Sequence, residues 1–146
     1  MSVSAAMLLN NKRVILDTNM LMVIRQFGID VISEVDRLVD DTYKVYILDE
    51  TIVELKKLAE EEKGNNKTAA KIALQVIEKN KLNIMDTKPL QQRLQKKHVD
   101  DLLLAIARAQ PHQTIVATQD QELKSKLKKA GISLIVLKGK SHLDLV

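Results

Sequence analysis

Short apolar runs alternate with longer amphipathic stretches along this chain. Runs at residues 13–16, 44–48, 82–85, 113–117 and 132–137 are nearly continuous in apolar side chains. A strand with one wet face alternates apolar and polar positions, so these runs predict strands covered on both faces. Between them the period lengthens to that of a helix. Residues 20–39 place Leu21, Ile24, Gly28, Val31, Val35 and Leu38 on one stripe, and residues 51–63 gather Ile52, Leu55, Leu58 and Ala59. Further helical stripes cover residues 68–79, 100–109 and 122–130, with Gly131 placed to end the last. The resulting order is β α β α α β α α β α β. It predicts a three-layer α/β sandwich, a mostly parallel five-stranded sheet with helices on both faces. No linker or repeat interrupts the pattern, so one domain is expected over residues 1–146, with its core at about 12–138.

Composition removes several function classes. The chain has no cysteine, which excludes disulfides, zinc ribbons and thiol catalysis and suits a cytoplasmic protein. With no Trp and only Phe27, Tyr43 and Tyr46 as aromatics, a base-stacking platform is not expected. Residues 1–10 lack the basic start of a signal peptide, and no run approaches the ~18 apolar residues of a membrane helix. The net charge of +4 gives little by itself. The placement of the charges says more.

In open parallel sheets, ligands bind beyond the carboxyl ends of the strands. Asp17 follows the first predicted strand in "VILDTN", and Asp120 follows the fourth in "TIVATQD" with Thr118 just before it. Glu54 lies about one turn into the next helix in "ETIVELKKL", and Asp100 and Asp101 open the helix of "HVDDLLLAIA". Each acid also has a structural role open to it. Asp17, Thr18 or Asn19 can cap the helix expected from Met20, Asp100 and Asp120 can cap theirs, Asp101 suits the helix dipole, and Glu54 can pair on an exposed face. Converging carboxylates repel one another, and a divalent cation relieves that repulsion. Mg²⁺ and Mn²⁺ favour such oxygen donors and can activate a water against a phosphodiester. Lys88, Arg93, Lys96 and Lys97 precede the third acid and suit contacts to the phosphates of a phosphodiester substrate, or else a solvated helix face. A second basic stretch holds Lys124, Lys126, Lys128, Lys129, Lys138 and Lys140. His98 reads as a surface residue.

"VILDTN", "IVELKKLAE", "VDDLLLAIA" and "IVATQDQEL" together resemble the successive motifs of PIN-domain nucleases, over residues 13 to about 137. The resemblance implies a parallel sheet between helices and a Mg²⁺- or Mn²⁺-dependent endoribonuclease. It implies Asp17, Glu54 and Asp120 as the first, second and fourth acids, with Asn19 and Thr118 orienting them. The third acid lies at Asp100 or Asp101. The spacing from Asp101 to Leu104 and Ala107 favours Asp101, with Asp100 assisting. Within the family the motifs are most similar to the branch related to ribosomal-RNA maturation endonucleases, and less so to VapC toxins. Partners expected on this basis are RNA, a second copy of the chain, and a ribosome-assembly or antitoxin protein. A nuclease-inactive RNA-binding or assembly module is the alternative. A dehalogenase-like phosphatase is disfavoured, since it needs an acid where Asn19 stands.

Overall fold

The computed structural model describes residues 11–61 and 63–146, so the reading of residues 1–10 lies outside the described residues. The strands are β1 (Lys12–Leu16), β2 (Tyr43–Leu48), β3 (Asn83–Met85), β4 (Thr114–Ala117), β5 (Ser133–Lys138) and β6 (His142–Leu145). The helices among the described residues are α1 (Thr18–Phe27), α2 (Val31–Leu38), α3 (Asp49–Glu61), α4 (Asn65–Lys79), α5 (Lys88–Leu94), α6 (Val99–Ala109) and α7 (Gln121–Lys129). The sheet order is β3-β2-β1-β4-β5-β6, with every pairing parallel except the antiparallel β5–β6.

The apolar runs divide between the two faces by strict alternation. Val14 and Leu16 of β1, with Ile115 and Ala117 of β4, pack into one layer with α1, α2, α3 and α4. Ile15, Leu48 and Val116 pack into the other, with α6 and α7. Period-2 geometry sends neighbouring side chains to opposite faces, so the continuously apolar runs of β1, β2 and β4 are buried where both faces are covered. The run at 82–85 departs from that expectation: β3 is an edge strand with Ile84 57% exposed. Each fully buried leucine in these layers contributes about 1.5–3 kcal/mol relative to exposure.

Three expectations are corrected. The sheet has six strands, not five. A turn with left-handed Gly139 and Lys140 folds β6 back on β5, pairing Leu143 with Leu137. Leu143 is fully buried, so the core extends past residue 138. The helix expected over 20–39 is two helices. Gly28, at φ +65°, ends α1 in the left-handed region that a side chain resists, and Asp30 caps α2 by accepting the Ser33 N–H. Finally, α1 begins at Thr18 rather than Met20, and of the three cap candidates Asp17 takes the N-cap position. Among the described residues no helix is long and apolar enough to cross a membrane.

Candidate active site

The chain runs from β1 outward through β2 to β3, then returns to β4 on the other side of β1. Consecutive connections therefore leave in opposite directions between β1 and β4. The register pairs Leu16 with Ala117, so both strands end together and leave a crevice between the loops that follow. The Asp17 N–H extends the ladder to the Ala117 carbonyl at 2.9 Å.

Asp17 is buried and held from two sides. One carboxylate oxygen accepts the Thr18 N–H at 2.8 Å, and the other accepts the Thr118 hydroxyl at 2.6 Å. Burial pushes its pKa up, and these two bonds oppose the rise without cancelling it. The nearby charges of Asp120 and Asp100 push the same way as burial.

Thr118 joins the two loops. Its hydroxyl also accepts the Asp120 N–H at 3.1 Å. Its single proton goes to Asp17, because the alternative acceptor on Asn19 lies 3.5 Å away. Asn19 instead ties the loop after β1 to the loop after β4. Its side-chain oxygen accepts the Gln119 N–H at 3.0 Å, and its carbonyl accepts the Gln119 amide at 3.3 Å. Asp120 is exposed and caps α7 through one oxygen, which accepts the Leu123 N–H at 2.8 Å.

A cavity of about 330 Å³ opens here, bordered by Asp17, Asn19, Glu54, His98, Asp100 and Asp120 over a partly apolar wall of Met22 and Leu58. Partial burial raises the Glu54 pKa, a bond from Thr18 opposes the rise, and the charges of Asp17, Asp100 and Glu50 add to it. Four elements thus bring Asp17, Glu54, Asp100 and Asp120 to one cleft. Asp101 is not among the cleft-lining residues. At 3.6 residues per turn its neighbour faces a different direction, and its carboxylate lies 3.8 Å from Lys96 Nζ.

The basic segment before α6 is also placed differently from a free cationic rim. Lys88 Nζ lies 3.7 Å from Asp49 and 3.8 Å from Glu50, and Lys97 Nζ lies 4.0 Å from Glu50. Lys96 faces Asp101, and Arg93 stands exposed in the last turn of α5. Asp49 and Glu50 escaped the sequence reading. Asp49 accepts both the N–H (3.0 Å) and the hydroxyl of Thr87. Burial alone would raise its pKa, and the Thr87 bonds, the Glu50 N–H and Lys88 together hold it below the usual range. Glu50 is only 5% exposed, and one of its oxygens has no hydrogen-bond partner. A signal for Asp49 was present: "YILDET", where β2 gives way to α3, repeats the Ile-Leu-Asp of "VILDTN" at the neighbouring strand end.

The donor set in the cleft consists of hard carboxylate oxygens, as Mg²⁺ and Mn²⁺ require. Among the described residues no three acidic or histidine side chains close into a preformed metal cage.

Known proteins share both sequence and fold with the chain. Ribonuclease VapC4 of Methanocaldococcus jannaschii is 28% identical over 135 residues, which is 91% of this chain and 95% of that protein. The PIN domain endonuclease Utp24 superposes with a TM-score of 0.69 at 20% identity, over 91% of this chain and 90% of its own, a likeness of fold. The family described as PIN-like domain matches residues 14–140, nearly the whole chain, and the protein belongs to that family.

Proposed function

We propose that this protein is a Mg²⁺- or Mn²⁺-dependent endoribonuclease that hydrolyses phosphodiesters in ribosomal or other structured RNA. One observation carries the reading: carboxylates from four separate elements line one cleft where β1 and β4 end, and the most buried of them, Asp17, is locked by Thr18 and Thr118. Burying a carboxylate among like charges is unfavourable without a compensating cation.

Asp17, Glu54, Asp100 and Asp120 are the residues that would hold the ion. When bound, the ion balances charge on the scissile phosphate and lowers the pKa of an attacking water. The chain itself positions the donors. Thr118 fixes the Asp17 carboxylate and the Asp120 backbone with one hydroxyl. Asn19 holds the two loops in register through Gln119. Asp101 acts on Lys96 rather than on the cleft, keeping the basic turn against α6. Lys88, Arg93, Lys96 and Lys97 flank the site, and an arriving phosphate exchanges with the acids that now pair the three lysines.

The test is cleavage of a structured RNA with Mn²⁺, comparing the wild type with Asp17→Asn. The expected result is a loss of at least a hundredfold in the variant with RNA binding retained. Wild type and variant that bind RNA equally and are equally inert would establish the nuclease-inactive module instead. The 28% identity to Ribonuclease VapC4 favours a second reading, a toxin-type ribonuclease with an antitoxin partner. A small antitoxin gene directly upstream, whose product relieves growth arrest caused by this protein, would decide for it.

A further inference from the structure

A second cavity, of about 410 Å³, lies between α7 and the end of β5. Lys124 and Lys128 reach it from α7 and Lys138 from β5, with Ser125 and Gln121 beside them. No carboxylate side chain lines it. Among the described residues, none of these three lysines lies within ion-pair distance of an acid, whereas Lys88, Lys96 and Lys97 all do. Lys124 is moreover half-buried. Val136, Leu137 and Val146, the last residue of the sequence, complete the lining. Three cations converging on one concavity, none within ion-pair distance of an acid, repel one another and focus a positive potential there. An anion relieves that repulsion, and the Ser125 hydroxyl and Gln121 amide add directed donors for its oxygens.

The cavity shares its helix with the acidic cleft. Gln121 follows Asp120 directly, and the Lys124 N–H donates to the Asp120 carbonyl at 2.9 Å. From Asp120 to Lys128 the helix rises about 12 Å. We propose that this cavity is a phosphate-binding subsite for the RNA backbone, which leaves the acidic cleft along α7. The assignment rests on the ribonuclease reading above. It favours a polynucleotide over an acidic protein segment because only a polynucleotide repeats its anions along the path and brings one of them to the cleft as substrate.

The experiment measures binding of a labelled single-stranded RNA to the full chain against salt, in an Asp17→Asn background so that nothing is cleaved. One variant carries Lys124→Gln, Lys128→Gln and Lys138→Gln. A control of equal charge carries Lys126→Gln, Lys129→Gln and Lys140→Gln. The slope of log K against log[salt] falls by about 0.7 for each lost phosphate contact to a single strand, so the cavity variant is expected to lose about 2 from its slope. Its affinity at low salt is expected to drop at least tenfold, with the control retaining most of both. Equal losses in the two variants would show diffuse charge and overturn the subsite, as would an unchanged cavity variant. Poly-glutamate binding that disappears in the cavity variant while RNA binding persists would give the cavity to an acidic protein and also overturn it. The two readings fail separately. Lysine-dependent binding by a wild type that cleaves nothing with Mn²⁺ removes the nuclease and keeps the subsite, and cleavage without lysine dependence does the reverse.

Discussion

Asp100 and Asp101 stand side by side in the chain and meet different surroundings. Asp100 opens onto the cleft with Asp17, Glu54 and Asp120, while Asp101 pairs with Lys96 at 3.8 Å and is about one-third exposed. The motif spacing to Leu104 and Ala107 favours Asp101, whereas the cleft lining favours Asp100; adjacent helical residues point about 100° apart, which linear spacing does not register. The expected consequence is asymmetric. Asp100→Asn should lower kcat for RNA cleavage by about a hundredfold or more, in line with the loss of one oriented charge at a reacting centre. Asp101→Asn removes an exposed ion pair worth at most about 1 kcal/mol and should leave kcat within a few-fold. Steady-state kinetics on one RNA decides it, and the opposite ranking would return the third acidic position to Asp101. Asp17, Glu54, Asp100 and Asp120 were all legible as candidates from strand ends and helix starts. Asp49 was marked only by the repeated Ile-Leu-Asp and Glu50 by nothing, since the role of both depends on Thr87, Lys88 and Lys97, which lie 38 or more residues along the chain.

The elements were legible wherever one stripe or one apolar run made the whole case. They were not legible where a single residue decided the boundary. Gly28 falls on the apolar stripe of residues 20–39 and reads as a small helical residue, yet its left-handed backbone splits that stretch. The last strand was hidden because "HLDL" offers only two apolar positions, and what holds it is remote. Glu34 on α2 accepts the Leu143 N–H at 2.9 Å, and Arg37 donates to the Leu143 carbonyl at 2.8 Å while pairing with Glu34 at 2.9 Å. These bonds dock β6 onto α2. The Arg37 bond, with the Leu143 N–H, holds the Glu34 pKa down at about 2 against an ordinary value of 4.5. A depressed acid stabilises the fold above its unfolded pKa and loses that contribution as pH falls through the folded one. Glu34→Gln should therefore lower stability by about 0.5–1 kcal/mol at neutral pH, a size limited by solvent screening at this site. The difference from wild type should fade between about pH 4.5 and pH 2, as chemical denaturation at a series of pH values would show. A difference that stays constant across that window would mean that the carboxylate charge has no part in docking β6.

At the scale of the whole molecule, the topology places the acids and the acids oppose the fold. The crevice exists because the chain reverses direction between β1 and β4, and a buried carboxylate at that point is raised in pKa by desolvation and by its acidic neighbours. A raised acid holds its proton more tightly folded than unfolded. Stability then falls as pH rises from the unfolded value of 3.8 through the folded pKa, and it stays lower at neutral pH. Asparagine at this position keeps an acceptor for the Thr18 N–H and removes the charge. With divalent ions chelated, Asp17→Asn should melt above wild type at pH 7, and the gap should close on acidification toward pH 4. Mn²⁺ should reverse the order. An ion that binds only the folded state adds about 2.7 kcal/mol at a hundredfold excess over its Kd. For a chain of this length that is a rise of about 5–10 °C in Tm. The variant, lacking its most buried donor, should gain much less. Thermal melts in chelator and in Mn²⁺ thus give two curves that cross. Equal Mn²⁺ shifts in both proteins would place the ion away from Asp17. A variant that is less stable in chelator would mean that the bonds from Thr18 and Thr118 outweigh burial. Crossing curves would show that the cleft is built against the fold's own stability and is restored by a bound divalent ion.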